Sequence, residues 1–234
     1  MSESPRSPPG FRGRGALSNP AGRFEPRQTQ AVDDGWYLEP PPDSVPTVVL
    51  PDAVRRIITY NDSPDIGFDR SINPYRGCEH GCIYCYARPT HGYLGLSSGI
   101  DFETKLFYKP DAGAALEAEL AAPRYQCRHI MLGGNTDPYQ PVERRLGVTR
   151  AVLEVLTATR HPVAVITKGS LVLRDLDLLA ELARDGLAEV TLSITTLDAE
   201  TKRLLEPRTP SGAARLRVLR ELRAAGVPAG TYRK

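Results

Sequence analysis

The strongest constraint on the fold is a regular alternation of predicted strands and helices over residues 69–229. The predicted strands are RSINPY, CRHIMLGG, PVAVITKGS and AEVTLSITTLD. The predicted helices are AGAALEAELAA, GVTRAVLEVLTATR, LRDLDLLAELARDG and GAARLRVLRELRAAGV. Strands and helices in this order form right-handed βαβ units and a parallel sheet. The sequence therefore predicts an α/β fold, either open and doubly wound or curved into all or part of a barrel.

Polar residues follow the predicted strands. They form the cysteine loop 78–85 and the segments GGNTD, TKGS and SITT. Ligands of parallel α/β sheets gather at the carboxyl ends of the strands, and these ends are more polar than a purely structural sheet requires. The pattern predicts an active site at this edge, with the cysteines as part of it.

Three of the four cysteines, Cys78, Cys82 and Cys85, lie within this one loop. Three thiols cannot pair off as disulfides, and free thiols in a glycine-containing loop would be reactive. Thiolates are soft ligands for zinc and for iron–sulfur clusters. A closed zinc site needs a fourth ligand, which His80, His91 or the distant Cys127 would supply. A [4Fe–4S] cluster bound by three cysteines, with one iron open, is the alternative, and the residues alone leave both open.

The sequence of this loop resembles a known signature. Cys78-Glu-His-Gly-Cys82-Ile-Tyr84-Cys85 is similar to the motif of the radical S-adenosylmethionine (SAM) superfamily. The resemblance implies that the three cysteines hold a [4Fe–4S] cluster and that SAM binds its open iron. An external one-electron reductant would then drive cleavage of SAM to methionine and a 5′-deoxyadenosyl radical, which abstracts hydrogen from a substrate.

Other motifs narrow the resemblance to one branch of that superfamily. The lead GRGA…NP…GRFE, NDSPDIGF, SINPYRGCEHGCIYCYAR, GGNTDPYQPVE, ITKGS and SITTLD resemble, in this order, proteins that are similar to DNA repair photolyases and related to spore photoproduct lyase. The branch implies a partial (β/α)6 barrel and a lyase-like reaction. Spore photoproduct lyase uses a cysteine hydrogen donor after its second strand, whereas GGNTDPYQ has none. Thymine-dimer repair is therefore not expected, and the substrate stays unknown.

The resemblance also implies which residues contact SAM. The segment after the second strand faces the amino group, Lys168 the carboxylate, Ser193 the ribose or carboxylate, and Tyr84 the adenine. The expected SAM-binding residues are Tyr84, Gly133, Gly134, Asn135, Thr136, Lys168 and Ser193. The superfamily has an acidic residue directly after the two glycines, where this chain has Asn135, so Asp137 is a candidate substitute.

Residues 1–46 are predicted to form a flexible lead rich in proline, glycine and arginine, ahead of a core domain at 47–234. The arginines make the lead locally basic, so nucleic acid is a possible partner, although the net charge of +2 is too small to indicate one by itself. A zinc-binding nucleic-acid interaction module is therefore the second hypothesis.

Neither a signal sequence nor an apolar run of membrane-spanning length is present, and four cysteines do not make a disulfide scaffold. We therefore expect a cytoplasmic protein with no membrane partner. The sequence ends at TYRK, where a fifth strand would begin. An incomplete, C-terminally truncated barrel is accordingly expected, and an inactive fragment is the third hypothesis.

Overall fold

A computed structural model describes residues 11–22 and 44–232 of the protein. Its β-strands are β1 (Val48–Pro51), β2 (Ile58–Tyr60), β3 (Arg70–Ile72), β4 (Tyr75–Arg76), β5 (Lys105–Tyr108), β6 (Ile130–Leu132), β7 (Val163–Thr167), β8 (Ala188–Ser193) and β9 (Ala229–Tyr232). Its α-helices are α1 (Ile100–Thr104), α2 (Ala112–Leu120), α3 (Glu143–Leu146), α4 (Val148–Ala158), α5 (Leu176–Arg184), α6 (Ala199–Leu205) and α7 (Gly212–Ala224). Arg88–Leu94 and Ser170–Asp175 are 3-10 helices.

The main sheet has six strands in the order β2-β3-β6-β7-β8-β9. Strand β2 is antiparallel to β3, and the other neighbouring pairs are parallel. Helix α4 connects β6 to β7, α5 lies between β7 and β8, and α6 and α7 lie between β8 and β9. The predicted α/β class with a parallel sheet is confirmed.

The core lies between the sheet and the helices α2, α4, α5 and α7. Strand β7 reads VAVIT, and four of its five residues are buried, as expected for a strand that is covered on both faces. The helices contribute buried residues at helical spacing, such as Val152, Leu153 and Leu156 of α4. This packing fixes the strand ends on which the polar segments lie.

A second, three-stranded sheet in the order β1-β5-β4 was not predicted. Strand β1 pairs in parallel with β5, and β4 pairs antiparallel to β5. These strands are two to four residues long, which is too short for alternation in the sequence to reveal them. Because β4 ends at Arg76, this sheet fixes the start of the cysteine loop.

Part of the predicted flexible lead lies against the core. Residues 11–22 are ordered by hydrogen bonds to α1, such as the one between Asn19 Nδ2 and Asp101 Oδ1 at 2.9 Å. The polar groups of this stretch therefore have partners in the domain, although the sequence predicted it as part of the lead. The rest of the lead, residues 1–10 and 23–43, lies outside the described residues.

The last strand of the main sheet is β9, which begins at Ala229, where a fifth strand was expected near the end of the sequence. It pairs in parallel with β8 from Val190↔Ala229 to Ser193↔Tyr232.

None of the helices over 11–22 and 44–232 combines the length and apolar character needed to cross a bilayer.

Candidate functional site

The carboxyl ends of β6, β7 and β8 and the cysteine loop border one cavity of about 560 Å³. It is lined by the three expected cluster ligands and by all seven residues expected to bind SAM. These are Cys78, Cys82, Tyr84, Cys85, Gly133, Gly134, Asn135, Thr136, Lys168 and Ser193. The segments that carry them are up to about a hundred residues apart in the chain, and parallel packing gathers them at one edge of the sheet.

The three loop cysteines carry free thiols and differ in exposure. Cys78 and Cys82 are buried and Cys85 is half-buried. Burial raises the pKa of Cys78 well above its ordinary value, and the carboxylate of Asp137 adds to this effect. Burial also raises the pKa of Cys82 to about 12, with the Lys168 ammonium acting in the opposite direction. The thiols of Cys78 and Cys82 therefore stay protonated at neutral pH unless a bound cation replaces their protons. Three soft donors facing one cavity fit an iron–sulfur cluster.

Two glycines give the cysteine loop its turns. Gly77 and Gly81 have φ values of 77° and 66°, which other residues adopt only with strain. A Cβ at Gly77 would lie 2.9 Å from the carbonyl oxygen of Phe102, and one at Gly81 would lie 2.8 Å from Glu103 Oε2. The loop passes so close to α1 that only glycine fits at these two positions.

Arg88 holds the middle of the loop from the side of α1. Its Nε and Nη2 donate to the carbonyl oxygen of Cys82 at 3.1 and 3.0 Å. Its Nη2 also donates to Glu103 Oε1 at 2.6 Å, and the guanidinium lies 5.4 Å from the centroid of the Phe102 ring. Sequence reasoning missed Arg88 and Glu103, since no spacing rule links an arginine after the third cysteine to a glutamate fifteen residues later.

The segment after β6 is held by Asn73. Asn73 Oδ1 accepts from the backbone N–H groups of Asn135 and Thr136 at 2.7 and 3.3 Å, and the Thr136 hydroxyl donates to the carbonyl oxygen of Tyr75 at 2.7 Å. Gly133 has a φ of 90°. The segment is thus a fixed turn, and Asn73 is a further positioning residue that the sequence analysis did not find.

Asp137 joins three parts of the site. Its Oδ1 accepts from the Thr167 hydroxyl at 2.6 Å, its Oδ2 accepts from the Lys168 N–H at 2.7 Å, and Oδ2 lies 3.3 Å from His80 Nδ1. Burial alone would raise the pKa of Asp137, but His80 and these hydrogen bonds hold it below its usual range. Both carboxylate oxygens have protein partners, so Asp137 links the cysteine loop to β7.

Lys168 is the only lysine or arginine among the described residues that line the cavity. Its Nζ lies 6.0 Å from the centroid of the Tyr84 ring. The Tyr84 hydroxyl donates to Glu206 and lies 2.9 Å from Thr195 Oγ1. Burial, together with the Glu206 carboxylate, raises the pKa of Tyr84. A cation and an aromatic ring are thus placed next to the buried Cys82.

A buried ion pair anchors Tyr84 to the end of β8. Glu206 and Arg215 are 0% and 1% exposed and pair directly. Arg215 Nη1 also donates to the carbonyl oxygen of Ser193 at 2.7 Å. Nearby, Arg208 Nη2 donates to Glu79 Oε1 in the cysteine loop at 3.1 Å. Glu206 and Arg215 were missed because their pairing depends on how α6 and α7 pack.

The mouth of the cavity carries two aromatic side chains that meet at Gly134. The hydroxyl of Tyr86 donates to the carbonyl oxygen of Gly134, and Tyr86 is 61% exposed. A Cβ at Gly134 would lie 3.0 Å from Phe68 Cζ. Phe68 belongs to the NDSPDIGF stretch, whose residues 65–68 all line the cavity. This stretch is the part of the cavity wall that precedes the cysteine loop in the chain.

Of the three candidates for a fourth zinc ligand, only His80 lines the cavity. His91 Nε2 lies 2.9 Å from the carbonyl oxygen of Lys105. Cys127 is exposed and precedes β6, at the opposite end of the sheet. Over residues 11–22 and 44–232, no three histidine, cysteine or acidic side chains converge on a point where one metal ion could bind. Cysteines that bind separate irons of a cluster need no such convergence.

Comparison with known proteins assigns the chain to a protein family. A family model described as the radical SAM superfamily matches residues 72–233. An uncharacterized protein of Mycobacterium tuberculosis strain H37Rv is 41% identical over 160 residues, which cover 68% of this chain and 47% of that protein. An uncharacterized protein of Methanocaldococcus jannaschii is 30% identical over 159 residues, covering 67% of this chain and 56% of that protein. The chain spans about half the length of these relatives.

Solved structures of spore photoproduct lyase share the fold. A variant with bound AdoMet and dinucleoside spore photoproduct has a TM-score of 0.58 at 19% identity, over 78% of this chain and 50% of that chain. The lyase complexed with dinucleoside spore photoproduct has a TM-score of 0.57 at 19% identity, with the same coverage. At this identity the similarity concerns the fold.

Proposed function

The chain belongs to the radical SAM superfamily, and from this premise we propose that it is a [4Fe–4S] protein that reductively cleaves S-adenosylmethionine. Cys78, Cys82 and Cys85 are the proposed cluster ligands. The observation that carries the proposal is that these cysteines share one cavity with all seven residues expected to bind SAM. When bound, the cluster supplies the electron that cleaves SAM to methionine and a 5′-deoxyadenosyl radical, which abstracts hydrogen.

The residues of the chain prepare this site in two ways. Arg88 and Asp137 fix the loop on both sides, so the thiols do not have to be ordered when the ligand arrives. Burial excludes water from Cys78 and Cys82, which protects an oxygen-sensitive cluster and strengthens local electrostatics.

The residues assigned to SAM have chemistry that suits its parts. The Lys168 ammonium is the proposed partner for the methionine carboxylate, and its electrostatic effect on Cys82 supports a position of that carboxylate beside the cluster ligands. The Gly133–Gly134 turn lets a ligand approach the backbone closely. The Tyr84 ring offers a face for the adenine, and Ser193 a hydroxyl for the ribose or carboxylate.

We propose that this chain carries out the type of reaction that the resemblance implies, which is hydrogen abstraction by a lyase-like enzyme. Nucleic acid remains a candidate substrate. A substrate that binds at the mouth of the cavity would meet the aromatic rings of Phe68 and Tyr86. Aromatic faces stack on planar groups such as nucleobases, which supports this candidate.

The experiment is electron paramagnetic resonance on anaerobically reconstituted, dithionite-reduced protein, with and without SAM. We expect a reduced [4Fe–4S] signal that changes on addition of SAM. Cys82→Ala should lose the signal, and the matched variant Cys127→Ala, at an exposed cysteine outside the cavity, should keep it. Stoichiometric zinc without a cluster signal would instead establish the zinc-binding module, and a signal indifferent to SAM would contradict SAM cleavage.

A further inference from the structure

Residues 13–20, GRGALSNP, form a strap that lies against the cysteine loop and α1. The strap precedes the region matched by the family model, which begins at residue 72. Nothing in the proposed chemistry uses it, yet its polar groups are engaged with the domain at several points. Its contacts reach the loop by three routes.

The first route is a direct backbone contact. A Cβ at Gly15 would lie 1.9 Å from the carbonyl oxygen of Gly81. Gly81 is the residue immediately before Cys82. The strap therefore rests on the cysteine loop itself, and a glycine is required at position 15 because no side chain fits between the two backbones.

The second route runs through Glu103, whose side chain is fully buried. Glu103 Oε2 accepts from the N–H of Gly15 at 3.0 Å, and Oε1 accepts from the N–H of Ala16 at 2.8 Å. The same Oε1 pairs with Arg88 Nη2 at 2.6 Å, and Arg88 donates to the carbonyl oxygen of Cys82. One buried carboxylate thus connects the strap to the residue that holds the middle of the loop.

The third route begins at Arg14. Its guanidinium donates to the carbonyl oxygen of Glu103 at 2.9 Å and to Thr47 Oγ1 at 2.9 Å. Thr47 in turn donates to Glu79 Oε1 at 2.8 Å. Glu79 follows Cys78, so this route supports the start of the cysteine loop, whereas the first two routes support it at Gly81 and Cys82.

We propose that the strap, acting through Glu103 and Arg88, is a positioning device that holds the cysteine loop in the conformation that receives its cluster. Outer partners that fix the orientation of ligands contribute strongly to metal affinity. The identity of the cluster rests on the proposed function, whereas the restraint on the loop rests on the contacts alone. Glu103, Arg14 and Gly15 are positioning residues, since none of them lines the cavity.

The test measures opening of the loop without any cluster. The reduced, metal-free full chain is treated with iodoacetamide, and the alkylation rate of each cysteine is followed by peptide mass spectrometry. Buried thiols react only when the structure around them opens. Cys127 is exposed and serves as the internal reference for reagent and folding.

Glu103→Gln removes the charge that pairs with Arg88 and turns one acceptor into a donor. We expect alkylation of Cys78 and Cys82, relative to Cys127, to rise about tenfold or more. The matched control is Glu143→Gln, another fully buried glutamate that pairs with an arginine and accepts from a backbone N–H. Glu143 bonds to Tyr75, Thr149 and Arg174 rather than to the strap or to residues 78–85, so its variant should leave the ratio unchanged.

Gly15→Ala is the second variant and keeps Glu103 intact. Its Cβ would meet the Gly81 carbonyl, so alkylation of Cys82 should again rise, whereas Gly230→Ala, with nothing within 4 Å of its Cβ, should not raise it. Unchanged ratios in both Glu103→Gln and Gly15→Ala, or equal rises in the two controls, would overturn the proposal.

In the reconstituted protein we expect Glu103→Gln to lose iron to a chelator several-fold faster than the parent chain and Glu143→Gln. Equal rates of loss would contradict a role in holding the cluster. If the parent chain forms no cluster, the proposed function fails, while the alkylation ratios still decide whether the strap restrains the loop.

Discussion

At the residue scale, the site is held by buried carboxylates that each pair with an arginine. Glu103 pairs with Arg88 and Glu206 with Arg215, and both glutamates are fully buried. An unpaired charge at such a position would destabilise the fold, because only the charged partner and the added hydrogen bonds offset the free energy of desolvation. These pairs therefore make the positions of neighbouring site residues depend on distant helices.

Removing Arg215 alone should lower the free energy of unfolding far more than removing both members of the ion pair. Arg215→Met leaves the Glu206 carboxylate buried without its partner, so we expect the free energy of unfolding to fall by about 3–5 kcal/mol. The double variant Arg215→Met/Glu206→Gln should recover a substantial part of this loss. Urea unfolding of the three chains measures it, and equal losses in the single and double variants would contradict the expectation.

Lys109 should give stability a specific pH dependence. Its Nζ donates to the carbonyl oxygen of Asn73 at 2.6 Å. Burial, with the nearby Arg76, lowers the pKa of Lys109 from 10.5 to about 8. Between these values the unfolded chain binds more protons than the folded one, so the stability of the protein rises with pH in this window.

The measurement compares the parent chain with Lys109→Met from pH 7 to pH 10.5. The free energy of unfolding of the parent, relative to the variant, should increase by about 3 kcal/mol over this window, at about 1.4 kcal/mol per pH unit. The other titrating groups are common to both chains and cancel. A difference that is independent of pH would show that Lys109 keeps an ordinary pKa when folded.

At the element scale, function depends on the turns that follow the strands. The turn after β6 brings Gly133 against β7, where an added Cβ would lie 2.5 Å from Pro138 Cδ and 2.7 Å from the carbonyl oxygen of Ile166. The conformation at Gly133 is also left-handed. The approach of β6 to β7 is therefore fixed at this turn by the absence of a side chain.

Gly133→Ala should combine strain with overlap. The left-handed conformation costs an alanine about 1–2 kcal/mol, and the overlap adds roughly 1–3 kcal/mol. Gly186→Ala is the matched control, because Gly186 also has positive φ but no atom lies within 4 Å of its Cβ. Urea unfolding should show the larger loss in Gly133→Ala. Equal losses would mean that the turn after β6 relaxes freely.

At the scale of the whole molecule, the site draws on more than the parallel sheet. The three-stranded sheet leads into the cysteine loop at β4, the strap supports it from outside, and α6 meets it where the Ile83 N–H donates to the carbonyl oxygen of Leu205 at 3.0 Å. A ligand bound in the cavity contacts several of these units at once. Its binding should therefore stabilise the chain as a whole.

We expect SAM to stabilise the cluster-loaded protein by about 2.7 kcal/mol at a concentration of one hundred times its dissociation constant. This corresponds to a rise of several degrees in the thermal midpoint. Lys168→Met should weaken SAM binding about tenfold or more through loss of a charged partner, whereas Lys105→Met, outside the cavity, should not. Equal SAM-induced shifts in the two variants would exclude Lys168 from the SAM site.

The sequence by itself determined the α/β class, the positions of the long helices and core strands, and the family. Hydrophobic periodicity is local, so VAVIT and the spacing of Val152 and Leu156 indicate their structure without knowledge of the fold. The spacing of Cys78, Cys82 and Cys85 is equally local. The rule that ligands bind at the carboxyl ends of strands then placed the ten candidate residues at one edge, and all ten line one cavity.

Only the tertiary structure decided how that cavity is held together. Glu103 accepts from Gly15, Ala16 and Arg88, and Glu206 pairs with Arg215. These partners lie up to 88 residues apart. Their sequences contain no pattern that identifies them, because the energy of a buried charge depends on which groups surround it after folding. For the same reason GRGALSNP reads as a loose tail until Gly81 and Glu103 are placed beside it.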